Sequence, residues 1–287
     1  MGMSVHTGSA AVLAALLLGG LAAPHSASAA DAGGAPRLAA GVAGAGAPTA
    51  GGAAPALSGR ALGAAKAAAD RPGDRSKDGW GSWKASPAEI KRKSTFLASA
   101  GQRPRRDGFA YPTTYMLPNT HQGQWYNNYC GPATLVTALG MRGNWLHDQG
   151  YYASRIGISP NNGGTGVDAM TRLLTEQSGD FEYVRKDLPY TPSSSDVATF
   201  KSRLMGNIYG YRTPVVGNSM EVHNGPHLVG HPNSTTTLYH WFTFQGYDGD
   251  WAAYLDSANT VWSSVPTRSG MPISTLVTIM GGRGYEW

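Results

Sequence analysis

The chain has one cysteine in 287 residues, only 14% charged residues and no apolar run long enough to span a bilayer comfortably. A single thiol excludes a disulfide framework. Most of the molecule also lacks a basic excess. Residues 1–106 hold 13 Lys/Arg against 5 Asp/Glu, whereas residues 107–287 hold 10 against 13. The formal charge of +5 therefore belongs to the leading segment, and the remainder has no basic stripe of the kind that phosphate neutralisation requires. Neither nucleic acid nor a membrane span is expected.

What is present falls into three stretches. Residues 10–23, AAVLAALLLGGLAA, form a short apolar run followed by Ala27-Ser28-Ala29-Ala30, small residues that suit an export peptidase. A signal peptide over 1–30 is expected, cleaved near Ala29 or Ala30, and with it a secreted, extracellular protein. Residues 31–106 are rich in Ala, Gly and Pro as far as about Ala69, then basic, with Trp80, Trp83 and the run Arg103-Pro104-Arg105-Arg106. So few aromatic and β-branched residues cannot repay the entropy of ordering, and this stretch reads as a disordered segment leading into a basic linker or removable pro-segment. From Asp107 onward Tyr, Trp, Val, Leu and Phe recur between Gly/Pro/Asn turn clusters, so 107–287 is expected to be one compact domain.

Within that domain the apolar spacing predicts helices over Gly131–Met141, Gly166–Gln177 (with Thr165 as cap) and Ser195–Met205. Strands are expected over Thr213–Val216, His240–Gln245, Trp251–Asp256 and Ile273–Met280. Helices preceding a mainly antiparallel sheet indicate an α+β fold.

Cys130 stands where the first of these helices begins, in Gln124-Trp125-Tyr126-Asn127-Asn128-Tyr129-Cys130-Gly131-Pro132-Ala133. A thiol at a helix N-terminus meets the positive end of the macrodipole and unpaired N–H groups, which favour thiolate. By position alone, such a cysteine reads equally well as an inert small hydrophobe. His240 offers the second group. Asp248-Gly249 between two aromatic runs signals a hairpin that pairs Tyr247 with Asp250, placing His240 opposite Ser257 and, with a single bulge, opposite Asp256. A carboxylate there would hold the imidazole's tautomer and stabilise imidazolium.

These residues resemble the papain-like cysteine peptidases of the bacteriocin-leader-processing family (family thirty-nine) and their secreted stand-alone relatives. The resemblance rests on Gln124 six residues before Cys130-Gly131-Pro132-Ala133, on Pro214-Val215-Val216, on His240 to Gly246, and on Asp256. It covers roughly residues 111–260. It implies a papain-like fold, with N-terminal helices packed on an antiparallel sheet, and a cysteine-type peptidase acting on a peptide or protein substrate. It further implies that Cys130 is the nucleophile, His240 the general base and then acid, Asp256 the residue that orients it, and Gln124 an oxyanion donor. Trp125 and Trp241, flanking the two motifs, are candidate substrate-binding residues. No cofactor or metal is expected. The chain departs from the family at Tyr129, often Asp, and at Ser257, often Pro. Two other functions use the same residues: a transglutaminase-like acyl transfer to an amine, and a non-enzymatic module in which Trp125, Tyr126, Trp241 and Trp251 line a cleft for cell-wall or peptide ligands.

His223, His227 and His231 recur every four residues, a zinc-like pattern on a helix, but Gly225, Pro226, Gly230 and Pro232 forbid that helix. A polar loop at the substrate edge is expected instead. Asn161-Asn162-Gly163-Gly164-Thr165-Gly166 lacks the lysine of a nucleotide-binding loop.

Overall fold

A computed structural model describes residues 57–70, 111–144, 147–179 and 181–287. The expected signal peptide, the tail up to residue 56, Trp80, Trp83 and the Arg103–Arg106 run lie outside the described residues. The elements in chain order are α1 (Gly59–Ala69), β1 (Thr114–Met116), α2 (Cys130–Met141), α3 (Gln149–Ile156), α4 (Val167–Gln177), β2 (Arg185–Asp187) and α5 (Ser194–Met205). A π-helical turn (Gly206–Tyr211) leads to β3 (Val215–Glu221), β4 (Leu238–Asp248) and β5 (Trp251–Leu255). A 3-10 turn (Ser257–Thr260), β6 (Arg268–Pro272), α6 (Ile273–Met280) and β7 (Gly284–Glu286) complete the chain.

The strands form one antiparallel sheet in the order β2-β7-β3-β4-β5-β6, with β1 paired to the far end of β4. Neighbouring residues of a strand point to opposite faces, and here they enter different cores. Val216 and Trp241 pack with α2, α3 and α4, through Leu135, Leu139, Tyr152, Met170 and Leu173. Val215 and Phe242 pack instead with α5 and α6, through Phe200, Leu204, Leu276 and Met280. Helices therefore cover both faces of the sheet, a mixed helix and antiparallel-sheet architecture in line with the α+β expectation.

Helices α2, α4 and α5 agree with the sequence to within a residue or so at each end. The cap of α4 is Gly166 rather than Thr165, and α5 starts at a capping box in which Ser193 and Asp196 bond each other's backbone N–H. Ile273–Met280, expected as a strand because Ile, Thr and Val dominate it, is helical. Its buried Ile273, Leu276, Val277 and Met280 follow the 3, 4, 7 spacing of one helix face, and burial of that face outweighs β propensity.

The Asp248-Gly249 hairpin is present, but its two turn residues are Gly249 and Asp250, with Asp248 paired to Trp251. Gly249 takes the positive φ that the turn requires, +58°. Beyond Gly246 the register shifts at a bulge, so Thr243 faces Leu255 and Asp256 lies past the end of β5. The predicted cross-strand placement of His240 against Ser257 or Asp256 is therefore corrected. No β5 residue pairs with β4 before Thr243, which leaves the 238–242 edge of β4 open on that side.

A second correction concerns the leading segment. Gly59–Ala69, within the stretch expected to be disordered, is a helix docked on the body. Six of its eleven residues are alanine, which has the highest helix propensity and needs no aromatic content to form a helix. Leu62 packs against Met220 and Val222. Lys66 is buried, and its Nζ donates to the carbonyls of Thr278 (2.7 Å), Ile279 (2.9 Å) and Gly281 (2.8 Å). These carbonyls belong to the last turn and C-cap of α6, where a helix has unpaired acceptors and negative dipole charge. Replacing Lys66 with Met keeps the bulk but leaves three acceptors without their donor. The expected outcome is a loss of about 2–4 kcal/mol, read as a lowered midpoint of urea unfolding.

Candidate active site

Helix α2 starts at Cys130, and no side chain caps it. Its first amides are therefore left for other acceptors, and the Gly131 N–H bonds to the Cys130 sulfur. The helix start enters the open edge of β4, where Trp241 presents both backbone groups. The Trp241 carbonyl accepts from Thr134 Oγ1 at 3.0 Å, and its N–H donates to the Cys130 sulfur. Gly131 lies against Thr165 so closely that a Cβ would overlap its side chain, so a residue with no side chain is required after the cysteine.

The structure brings Cys130, His240 and Asp256 together. The His240 ring is hydrogen-bonded to the Cys130 thiol. On its other side, His240 Nε2 lies 2.8 Å from Asp256 Oδ1. Burial pushes the thiol up, but the hydrogen bond and charge of His240 and the two backbone N–H groups outweigh it, so Cys130 lies below the ordinary thiol value. Burial alone would lower His240. Against that, the Asp256 charge and hydrogen bond, with Cys130 behind the ring, hold it well above an ordinary imidazole. Asp256 is itself far below the usual carboxylate range, because the two imidazoles that hydrogen-bond it overcome its burial. Together these shifts favour a thiolate–imidazolium pair, a sulfur nucleophile beside a proton donor.

Asp256 reaches His240 by leaving β5 and capping the following turn, where its Oδ1 accepts the Ala258 N–H at 2.9 Å. His121 Nε2 meets its backbone carbonyl at 2.7 Å.

Beside Cys130 is a cavity of about 240 Å³, whose lining includes Asn127, Asn128, Thr165, Asn218, Trp241 and Arg283. Trp241 is buried, and its Nε1 donates to the Thr165 carbonyl at 2.9 Å, so it is a fixed wall of this cavity. Trp125 is instead 54% exposed, beyond that lining. Gln124 is not among the lining residues either. Its Nε2 donates to the carbonyls of Tyr126 (2.9 Å) and Asn127 (3.0 Å), and its Oε1 accepts from Ser257 Oγ at 3.2 Å. In this arrangement it ties down the turn that delivers Cys130. Asn128 secures the facing loop, donating to Ser159, Asn162 and Gly163 carbonyls at 2.9, 3.1 and 3.0 Å.

One group that the motif reading did not assign to the site adjoins the Asp256 carboxylate, and a second lies behind it. His231 Nε2 lies 3.0 Å from Asp256 Oδ2, and Glu221 lies beyond, 3.1 Å from His231 Nδ1 and from His227 Nδ1. The four-residue histidine spacing is the only sequence signal of His227 and His231. His223 is exposed, and the other two imidazoles converge on Glu221. The donor atoms of His231, His240 and Asp256 all lie within 4.8 Å of one another. Each imidazole meets its carboxylate at 2.8–3.0 Å, the separation of an N–H···O⁻ bond, so charge pairing accounts for the cluster.

No protein-family model and no curated protein matches the sequence. Among solved structures, the chain is similar to a Bacillus anthracis protein provisionally classed as a C39-like peptidase, at 14% identity and a TM-score of 0.40, over 60% of this chain and 96% of that one. Among the described residues, no helix is long and apolar enough to cross a membrane.

Glu221 accepts hydrogen bonds from His227, His231 and Ser219, which together overcome burial and hold it at about 2. A depressed carboxyl stabilises the fold above its unfolded value near 4.5, and that stability is lost as pH falls through about 2. The wild type is expected to lose about 3 kcal/mol from this group between those limits. Glu221→Gln should flatten that part of the pH–stability curve, measured by thermal unfolding.

Proposed function

We propose that the domain is an exported cysteine peptidase of papain-like architecture, cleaving amide bonds through a Cys130 thioester. The observation that carries this reading is the continuous chain from the Cys130 thiol through the His240 ring to the Asp256 carboxylate, set at an open cavity. The Cys130 thiolate attacks the substrate carbonyl, and the resulting oxyanion lies near the Cys130 N–H at the start of α2, which no side chain caps. His240, protonated, gives its proton to the leaving amine as the tetrahedral carbon collapses to the thioester. Water, deprotonated by the now neutral His240, attacks the thioester, and the departing sulfur returns as thiolate beside imidazolium. Asp256 keeps the ring oriented and its positive form stabilised throughout. Gln124 can assist the oxyanion only by releasing one of the two loop carbonyls it now holds. Export is inferred from the apolar run and small-residue site near Ala29 or Ala30.

Incubation with an unstructured peptide library, read by mass spectrometry, tests the reading. Cleavage should be abolished, by roughly a thousandfold or more, in both Cys130→Ala and His240→Ala. A Cys130→Ala variant that still cleaves would overturn it. If added primary amine diverts the products into stable amides, acyl transfer rather than hydrolysis is the activity of the same site.

A further inference from the structure

His231 is caught between two carboxylates. Its Nε2 lies 3.0 Å from Asp256 Oδ2 and its Nδ1 3.1 Å from Glu221, and all three side chains are almost wholly buried, at 0–1% exposure. A neutral imidazole has one N–H and one lone pair. In this position the lone pair would face a buried carboxylate oxygen, at the cost of an unpaired acceptor and a repulsive contact. Both nitrogens therefore carry protons.

We infer that His231 is a permanently charged positioning residue that shares Asp256 with His240 and thereby limits how strongly Asp256 can hold the His240 proton. The inference rests on the proposed role of the Cys130–His240 pair. Each oxygen of Asp256 serves one ring, Oδ1 for His240 and Oδ2 for His231, so the carboxylate can neither rotate nor concentrate its charge on His240. The His231 ring stands edge-on to the His240 ring at 5.0 Å and is packed on its other side by Trp262 at 5.0 Å. A cation at that range opposes protonation of His240, while burial, which alone would lower His231, is outweighed by its Asp256 and Glu221 bonds, which raise it above an ordinary imidazole.

The remaining groups around this chain are accounted for. Glu221 also receives Ser219 Oγ (2.8 Å), the Leu228 N–H (3.2 Å) and the His227 ring, and the Lys66 ammonium acts on it from α1. The Tyr254 hydroxyl, which donates to no carboxylate here, senses both Asp256 and Glu221. Ser219 sits opposite His240 in the β3–β4 ladder, and Glu221, two residues on, shares its side of β3. Strand alternation thus places the outer carboxylate under the same histidine that the proposed chemistry uses. Its purpose follows from the chemistry. An imidazolium bound too tightly by its carboxylate is a poor acid toward a leaving amine, so a second cation on Asp256 keeps His240 nearer to working pH.

The test combines a direct and a functional measurement. In wild-type protein with ¹⁵N-labelled histidine, both His231 nitrogens should give protonated-imidazolium shifts up to at least about pH 8, well above an ordinary histidine. A neutral His231 at pH 7 overturns the proposal. In His231→Gln, the pH profile of Cys130 alkylation by iodoacetamide should shift in its upper limb, that of His240, by about one pH unit or more toward alkaline. On a peptide substrate kcat should fall with KM little changed, since His231 touches no substrate. An unchanged upper limb also overturns the proposal. If wild-type Cys130 behaves as an ordinary thiol, the peptidase reading fails, and the nitrogen shifts still decide the charge of His231. They do so as well if His231→Gln does not fold.

Discussion

One carboxylate holds the candidate site together. Asp256 is buried, yet it accepts from two imidazoles and a backbone N–H, and each of these donors comes from a different segment of the chain: His231 from the loop after β3, His240 from β4, and Ala258 from the turn that Asp256 itself caps. A buried charge is tolerable only when its acceptor sites are filled, so the geometry of all three segments is constrained by the need to fill them. The hydrogen-bonded chain Cys130–His240–Asp256–His231–Glu221 is a consequence of that constraint. It alternates acid and base from the helix start to the far edge of β3.

The sheet provides the other half of the arrangement. Because β5 leaves β4 at Thr243, the Trp241 backbone has no strand partner on that edge, and its N–H and carbonyl are taken by the start of α2. Two side chains of the first helical turn, the Cys130 thiol and the Thr134 hydroxyl, thus take the two backbone groups that the strand edge has to spare. The cysteine sits at the junction. The close contact of Gly131 with Thr165 then brings the facing loop against the helix and bounds the cavity.

Part of this arrangement is legible in short windows of sequence. Cys130 at a helix start, and the amphipathic faces of α2, α4 and α5, follow from local spacing and caps, and these agree with the structure. Ile273–Met280 is helical against its β-branched content because its buried residues repeat at helical spacing, and α1 is not legible locally because its few apolar residues need the body to bury against. The hairpin turn was one residue off, a small error along the chain that displaced every predicted cross-strand neighbour of His240. His227 and His231 show only a metal-like spacing in the sequence, since nothing local reveals that both rings meet Glu221.

The amino-acid order fixed which groups were available and the local elements that carry them: a thiol at a helix start, an imidazole in an aromatic strand, a carboxylate after the next strand. Which of these groups meet was decided by the tertiary structure. Contacts between Cys130, His240, Asp256, His231 and Glu221 join residues far apart in the chain, and they depend on strand register, on where β5 departs from β4 and on how a buried charge finds its donors. None of those is a property of a short window of sequence, because each is the outcome of packing that involves the whole sheet.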